Sequence, residues 1–259
     1  MGIDFELEGK RALVTGAGQG VGEGIARMLA AAGAEVVVND YVPERAEAAA
    51  GRIREAGGAA TALPFDVTDH DQVHERIGGA GPIDILVNNA GNAGVAGFGE
   101  TAPFVDTTPD QWEPYLAVNL YGVMNCVHAA LPGMVERRWG RVVTIVSDAG
   151  RTGGAGTAAY AAAKAGAAAF CRAVAQEVGR HGVTVNNVSL GTMRTPVTED
   201  LWRDPDKEDL RKVILSGYVV RRPGEPADAA WIVTALASPR AGWVTGQTIP
   251  VNGGFSFAL

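Results

Sequence analysis

Residues 160 to 170, YAAAKAGAAAF, are almost entirely alanine and glycine, yet they contain one phenol, Tyr160, and one ammonium, Lys164. On a helix, side chains four residues apart lie on the same face. A phenol with its ordinary pKa near ~10 is too weak a base at neutral pH. A cation at about 5 Å would favour the phenolate by roughly 3 kcal/mol at an effective dielectric near ~20. The pair could therefore exchange protons with a substrate, although the same spacing also occurs on ordinary surface helices.

A glycine-rich turn follows the first predicted strand. Residues 13 to 33, LVTGAGQGVGEGIARMLAAAG, place glycines at 16, 18, 20 and 22 where the strand gives way to a helix. Glycine permits positive φ and lets a pyrophosphate approach the N–H groups at the helix N-terminus. The residues fit T-G-x-x-x-G-x-G, starting at Thr15, and do not fit G-x-G-x-x-G. The turn predicts a dinucleotide site; the alternative is a glycine-rich turn without a ligand.

The second predicted strand ends at Asp40, about twenty residues further along the chain. An acidic side chain there can accept hydrogen bonds from the adenosine ribose hydroxyls and repel a 2′-phosphate. Neither Ala17 nor Gln19 in the glycine turn is basic. We therefore expect NAD to be favoured over NADP, with Arg45 as the main reservation, because it could turn toward a phosphate.

The composition excludes several classes of partner. The chain has 259 residues, 47% of them hydrophobic, which is enough for a large core in a single domain. Charged residues make up 20% and the net charge is −7, so no basic surface for nucleic acid or membranes is indicated. The sequence shows neither a signal-peptide pattern nor a long apolar run. We expect a soluble, cytoplasmic protein that binds a small molecule.

The cysteines and histidines give no sign of a disulfide or a metal site. Cys126 and Cys171 lie in apolar helical patterns, where a free thiol behaves as a small core residue. The four histidines form no HExxH motif. His70 and His74 are four residues apart on a polar helix face, where we expect them to be solvated. The sequence therefore predicts no metal.

Short β-branched runs alternate with longer helical patterns along the chain. Strands are predicted at 11 to 16, 35 to 40, 60 to 66, 83 to 91, 141 to 147, 183 to 189 and 247 to 254. Helices are predicted at 20 to 32, 43 to 56, 69 to 78, 109 to 138, 157 to 180 and 225 to 237. The alternation predicts one α/β domain over residues 1 to 259, with a doubly wound parallel sheet of about seven strands and helices on both faces.

Two segments interrupt this alternation. Residues 92 to 108 form a long loop after the fourth strand, and residues 190 to 216 form a loop and helix after the sixth. Both leave the carboxyl ends of strands, where open α/β sheets bind ligands. We expect residues 190 to 216 to cover the substrate.

Taken in order, these motifs resemble the short-chain dehydrogenase/reductase family over nearly the whole chain. Beyond the turn at 15 to 22, the matching positions are Asp66 and Val67, the NNAG of residues 88 to 91, Asn119, Ser147, and the YxxxK pair of Tyr160 and Lys164. The step of thirteen residues from Ser147 to Tyr160 is usual in that family. The resemblance implies a Rossmann-like fold and an NAD(P)-dependent oxidoreductase.

The resemblance also implies a role for each catalytic candidate. Tyr160 would be the acid or base, Ser147 would hold the substrate oxygen, and Asn119 would anchor a water that links Lys164 to solvent. Lys164 would also hold the nicotinamide ribose. One position departs from the family pattern, because Leu190 precedes Gly191 where proline is usual. We expect the backbone near the nicotinamide to be loosened there.

Two sets of contacts follow from these motifs. The cofactor set is Thr15, Gly16, Gly18, Gln19, Gly20, Val21, Gly22, Asp40, Tyr41, Asp66, Val67, Asn89, Ala90, Gly91, Tyr160, Lys164, Gly191, Thr192 and Thr195. The substrate set is Ser147, Asp148, Gly153, Gly154, Tyr160, Leu190 and Trp202, with parts of the loops that contain Phe98 and Phe104.

These residues predict an NAD-dependent oxidoreductase that interconverts a secondary alcohol and a ketone on a hydrophobic substrate. One alternative is an NADP(H)-linked 3-oxoacyl-thioester reductase. Another, of a different class, is a non-catalytic dinucleotide-binding regulator, although such proteins often lose the tyrosine or the lysine. The small residues along the helix at 157 to 180 also permit close packing of a second subunit, and the family commonly forms tetramers. We expect a homotetramer.

Overall fold

The computed structural model describes residues 5–92 and 102–257, and every structural statement below refers to them. Seven parallel strands form one sheet in the order β3-β2-β1-β4-β5-β6-β7. The strands are β1 (Arg11–Val14), β2 (Glu35–Val38), β3 (Ala59–Ala62), β4 (Ile85–Asn88), β5 (Gly140–Ser147), β6 (Val183–Leu190) and β7 (Thr248–Val251). The predicted Rossmann-like, doubly wound fold is confirmed.

Ten α-helices connect the strands within the described chain. They are α1 (Gly20–Ala31), α2 (Pro43–Glu55), α3 (His70–Gly79), α4 (Pro109–Leu116), α5 (Gly122–Arg137), α6 (Ala149–Thr152), α7 (Ala158–Val178), α8 (Glu199–Arg203), α9 (Glu208–Ser216) and α10 (Pro226–Ala237). The predicted helices at 20 to 32, 43 to 56, 69 to 78, 157 to 180 and 225 to 237 are confirmed to within two residues at each end.

The prediction of a single helix over 109 to 138 is wrong. The structure divides this stretch into α4 and α5, with the π-helical segment Ala117–Tyr121 between them. A π-helical turn widens the backbone spiral and is frequently found at functional sites. Hydrophobic periodicity does not reveal it, because the residues remain helical on both sides.

The core consists of two layers, one on each face of the sheet. Alternate residues of a strand point to opposite faces, so Ala12 and Val14 pack with α1, α2 and α10, whereas Leu13 packs with α3, α5 and α7. Both faces of the central strands are therefore apolar, as a parallel sheet covered by helices requires. Cys126 and Cys171 are free and buried in the second layer.

No helix in the described part of the chain is long and apolar enough to cross a membrane.

Helices α1 and α10 approach each other closely because α1 has a glycine at the contact. A Cβ added at Gly24 would lie 2.6 Å from the Cβ of Pro226, closer than real Cβ atoms approach. Gly51 in α2 is a matched position, since the nearest atom to an added Cβ is the Arg54 guanidinium, 3.8 Å away. The two glycines differ in packing, although both lie within helices.

We expect Gly24→Ala to lower the free energy of unfolding by about 1–3 kcal/mol, because the new methyl group forces the two helices apart. Gly51→Ala should raise it by about 0.5–1 kcal/mol, because alanine favours a helix and no atom is displaced. Urea denaturation of both variants measures the two effects. A Gly24→Ala variant that gains stability like Gly51→Ala would contradict the close contact.

Candidate active site

The candidate cofactor crevice lies between the carboxyl ends of β1 and β4, where the order of the strands reverses. The Thr15 hydroxyl oxygen accepts hydrogen bonds from the backbone N–H groups of Asn89 (3.0 Å) and Ala90 (3.1 Å). The Asn89 amide in turn donates to the carbonyl oxygens of Thr15 and Gly16. Thr15 is only 1% exposed, so its side chain ties the two strand ends together. The side chain supports the turn, and the contact of Thr15 with a cofactor stays a prediction.

The glycine turn is shaped to receive an anion. Gly16 and Gly20 have φ of 60° and 62°, which favours glycine. A Cβ added at Gly22 would lie 2.4 Å from both the Gly16 carbonyl oxygen and the Asn89 amide nitrogen. Within the described residues, no side chain caps the N-terminus of α1 at Gln19. Its first N–H groups are therefore available to a phosphate, and the residues present fit a bound dinucleotide.

Asp40 lies beneath this turn. Its two carboxylate oxygens accept hydrogen bonds from the backbone N–H groups of Gly18 (3.2 Å) and Val42 (3.0 Å). The residue is only 4% exposed, whereas Tyr41 beside it is 69% exposed. Arg45 is exposed, and its Cβ lies 2.6 Å from the position of a Cβ added at Gly18. Asp40, which would repel a 2′-phosphate, and Arg45, which could bind one, thus lie on the same side of the glycine turn.

Asp66 and Val67 lie after β3, which ends at Ala62, so the strand predicted at 60 to 66 ends four residues earlier than expected. The Asp66 carboxylate is exposed and accepts from the backbone N–H and the hydroxyl of Thr68. Val67 is buried against Gly122, and its carbonyl oxygen accepts from the Asn125 amide at 3.0 Å. The predicted adenine contact therefore falls on a segment that is fixed to α5.

Tyr160 and Ser147 meet at the carboxyl end of the sheet. Ser147 ends β5 and Tyr160 lies in the first turn of α7, and the Ser147 hydroxyl is near enough to the phenol to act on its pKa. Burial raises the pKa of the Tyr160 phenol, and Ser147 opposes this in part. The expectation that Lys164 lowers this pKa is thus corrected, because desolvation of the phenolate is the largest effect. The Tyr115 ring lies edge-on to Tyr160, with centroids 6.2 Å apart.

Lys164 is buried one turn further along α7. Its ammonium donates to the carbonyl oxygen of Ile145 in β5 at 3.0 Å. Burial lowers the pKa of this ammonium to about 8. A Cβ added at Gly91 would lie 3.2 Å from Lys164 Nζ and 2.9 Å from Asn119 Oδ1, so glycine is needed there. The structure therefore brings Gly91, Asn119 and Lys164 together.

Asn119 lies in the π-helical segment and is fully buried. Its amide nitrogen donates to the carbonyl oxygens of Tyr115 (3.0 Å) and Asn92 (3.0 Å). Asn92 was missed by the sequence reasoning, because an asparagine that enters a loop has no distinctive spacing. The amide of Asn92 also donates to the Pro114 carbonyl oxygen at 3.0 Å, so it fixes the bend that carries Asn119.

The turn after β6 is held by a residue that sequence reasoning also missed. The Tyr218 hydroxyl donates to the Thr192 hydroxyl and accepts from the Thr192 backbone N–H, both at 2.8 Å. The backbone N–H of Gly191 donates to Val251 at 3.3 Å. The loosening expected from Leu190 is therefore corrected, because hydrogen bonds to Val251 and Tyr218 hold the backbone of Gly191 and Thr192. Thr195 faces the glycine turn, with its Cβ 3.5 Å from the position of a Cβ added at Gly20.

Two predicted substrate contacts are not supported. The Asp148 carboxylate is 2% exposed and is occupied by hydrogen bonds from Ser189, Asn252 and Ser256 and by an ion pair with Arg151 at 3.0 Å. The Leu190 side chain is 8% exposed and packs in the core. The Asp148 carboxylate, just after β5, is enclosed by its hydrogen-bond partners, and the Leu190 side chain at the end of β6 is enclosed by the core, so neither is available to a substrate.

The other predicted substrate residues lie nearer the surface. Gly153 and Gly154 are exposed at the end of α6. Trp202 is half-buried in α8 and donates from its ring nitrogen to Thr198 at 3.3 Å. Phe104 is exposed and stacks on Trp112 at 5.0 Å. Phe98 lies outside the described residues.

A family model described as enoyl-(acyl carrier protein) reductase matches residues 16–256. The 3-oxoacyl-(acyl-carrier-protein) reductase of Vibrio harveyi is 38% identical, over 96% of this chain and 98% of its own length. The chain belongs to the short-chain dehydrogenase/reductase family. It is accordingly an oxidoreductase with a nicotinamide dinucleotide cofactor, acting between an alcohol and a carbonyl group.

Two solved structures of this short-chain family resemble the chain throughout. A gluconate 5-dehydrogenase from Burkholderia cenocepacia, in complex with NADP and tartrate, is 34% identical, with a TM-score of 0.89 and coverage of 99% of this chain and 98% of that one. A 3-oxoacyl (acyl-carrier-protein) reductase from Agrobacterium tumefaciens with NADP bound is 33% identical, with a TM-score of 0.89 and coverage of 97% and 96%. These neighbours hold NADP, so the expected preference for NAD is not supported by them.

The buried Lys164 predicts a pH-dependent effect on stability. Its pKa of about 8 in the folded chain is below the ordinary value of 10.5. At pH 7 the folded chain therefore carries a buried ammonium, which lowers its stability. We expect Lys164→Met to raise the free energy of unfolding at pH 7 by roughly 1–3 kcal/mol. A tenfold change in proton affinity corresponds to about 1.4 kcal/mol, and the lost hydrogen bond to Ile145 offsets part of the gain.

The difference should shrink as the pH rises above 8. In that range the folded protein has released the proton while the unfolded chain still holds it, so the stability of the unmodified protein increases with pH. Denaturant titrations between pH 7 and pH 10 measure the trend. Lys207→Met, at a lysine with 42% side-chain exposure, is the control and should show no such trend. A constant difference for Lys164→Met would contradict the lowered pKa.

Proposed function

We propose that the chain is an NADP(H)-linked reductase of 3-oxoacyl thioesters. The observation that carries the reducing direction is the Tyr160 phenol, which lies beside Ser147 and has its pKa raised by burial. A phenol in this environment keeps its proton, as a general acid for ketone reduction must. Oxidation of an alcohol would require the phenolate, which the same burial disfavours.

The proposed reaction reduces a ketone to a secondary alcohol. When bound, the nicotinamide supplies the hydride. Ser147 donates a hydrogen bond to the ketone oxygen and holds it beside Tyr160, which transfers its proton to that oxygen as negative charge develops there. Lys164, fixed by its bond to Ile145, provides positive charge next to Gly91. Asn119 would anchor the water through which a proton returns.

The names of the relatives support the thioester substrate. Both the Vibrio harveyi protein and the Agrobacterium tumefaciens structure are named 3-oxoacyl-(acyl-carrier-protein) reductases. Each matches this chain over 95% or more of its length. A 3-oxoacyl group presents a ketone on an otherwise apolar chain, which suits the apolar side chains of Phe104 and Trp202, two of the residues predicted to face the substrate.

A second candidate is an NAD-linked dehydrogenase of a secondary alcohol, and Asp40 favours it. An acidic group at the end of β2 repels a 2′-phosphate. Against it, both Asp40 oxygens are bound to the backbone N–H groups of Gly18 and Val42. The exposed Arg45 beside them is a cation suited to a phosphate. We therefore propose NADP(H) as the cofactor, with Arg45 as its determinant.

Tyr160→Phe tests the reaction. We expect a loss of about 100- to 10,000-fold in kcat, because general acid catalysis contributes that much, with unchanged binding of NADPH by fluorescence. The assay follows NADPH oxidation with acetoacetyl-CoA, gluconate-derived ketones and cyclohexanone. Tyr121→Phe, at an exposed tyrosine, is the matched control and should retain turnover. Full activity of Tyr160→Phe on every ketone that the unmodified chain reduces would refute the role of Tyr160.

Arg45→Ala tests the cofactor. We expect kcat/KM with NADPH to fall by about tenfold, equivalent to roughly 1.4 kcal/mol of binding energy for a charged hydrogen bond, and kcat/KM with NADH to stay within about twofold. Arg76→Ala, at an exposed arginine of α3, is the control. An unmodified enzyme that prefers NADH, with NADPH use rising in Asp40→Ser, would instead support the second candidate.

Three expectations stay predictions. The covering role of residues 190 to 216 and the cytoplasmic location follow from the sequence alone. A homotetramer would bury exposed apolar side chains, of which Trp243 (99%) and Phe257 (72%) are the most exposed aromatic ones in the described chain.

A further inference from the structure

Three of the four histidines of the chain converge where α3 and α5 lie side by side. His70 and His74 lie one turn apart on α3, and His128 lies on α5, which packs beside it. One ring nitrogen from each lies within 4.8 Å of the other two. His74 Nε2 and His128 Nδ1 are 2.8 Å apart, and the rings of His70 and His74 have centroids 4.5 Å apart. The expectation of a solvated pair at 70 and 74 thus omitted a third ring from a distant part of the chain.

The chemistry of this cluster suits a metal ion. A neutral imidazole nitrogen is a common ligand of Zn²⁺ at 2.0–2.1 Å, and three such ligands leave the fourth tetrahedral position to water. Tetrahedral ligands at that distance are separated by about 3.4 Å. Small rotations of the three rings would bring their nitrogens from the present spacing to that one, since each ring stands on a regular helix.

An acidic group orients one of the rings. His70 Nδ1 lies 3.0 Å from the Asp71 carboxylate, so this nitrogen donates and Nε2 is left as the ligand atom. A carboxylate that binds the outer nitrogen of a metal-bound histidine is the usual supporting partner of such sites.

We propose that His70, His74 and His128 form a zinc site that links α3 to α5, with a water as the fourth ligand and Asp71 as the partner of His70. The two helices belong to the same layer of the core, and α5 continues directly from the π-helical segment that carries Asn119. The bound ion would stabilise the folded chain, because the unfolded chain does not bring the three rings together. No step of the proposed reaction depends on it.

Calorimetric titration of ZnCl₂ into the untagged, chelator-treated full chain tests the proposal. We expect one Zn²⁺ per chain and a rise in Tm with added zinc. His128→Ala should weaken binding by more than tenfold, because it removes one of three ligands, and Asp71→Ala by about tenfold, as for a supporting partner. His181→Ala, at the fourth histidine of the chain, is the matched control and should bind as the unmodified protein does.

Two results would overturn the site. The first is the absence of stoichiometric zinc binding. The second is unchanged affinity in His128→Ala, which would place the ion on the pair of α3 alone or elsewhere. Tm without zinc is measured for each variant, so a loss of binding through misfolding is distinguished from a loss of ligands. Co²⁺ in place of Zn²⁺ gives an independent readout, since tetrahedral coordination produces a visible absorption that His128→Ala should lose.

Discussion

The candidate site depends on one buried charge. The Lys164 ammonium is held against the sheet by the carbonyl oxygen of Ile145, and this fixes the distance between α7 and β5 at their functional ends. Two glycines leave room for this arrangement. A side chain at Gly91 would crowd Lys164 Nζ, and a Cβ at Gly150 would lie 2.8 Å from the Ala165 backbone nitrogen. The alanines around Lys164 serve the same end, since they let α6 and the sheet approach α7 closely.

Burial also decides which proton state the site favours. An ammonium at about 5 Å would favour the phenolate by roughly 3 kcal/mol, and from the sequence alone this attraction was expected to dominate. In the folded chain, removal of the phenol from water has the larger effect, so the pKa of Tyr160 rises and that of Lys164 falls to about 8. In the free protein, Tyr160 therefore keeps its proton, and Lys164 loses its charge more readily than an ordinary lysine. The positive charge of an oxidised nicotinamide would be needed to make the Tyr160 phenolate the favoured form.

The sequence predicted the sheet and most helices because their signals are local: periodicity of apolar residues, and glycines where strands become helices. It predicted the grouping of Ser147, Tyr160 and Lys164, since a resemblance to a family transfers positions along the chain. It did not predict what depends on distant residues. Asn92 and Tyr218 support Asn119 and the turn after β6, and neither lies in a recognisable spacing. The π-helical segment was missed for a related reason, since the partner of Asn119 within it is Asn92, which is distant along the chain.

The burial of Asp148 extends this argument to the end of the chain. Asp148 directly follows Ser147, and its carboxylate accepts from Ser189 in β6 at 2.7 Å and from Ser256 at 2.9 Å. A buried carboxylate is tolerated only where such partners surround it. The position of Ser147 therefore rests on a network that includes residues more than one hundred positions away. Polar residues beside a reactive group can thus act by fixing the backbone of that group, and residue type alone does not separate this role from contact with a substrate.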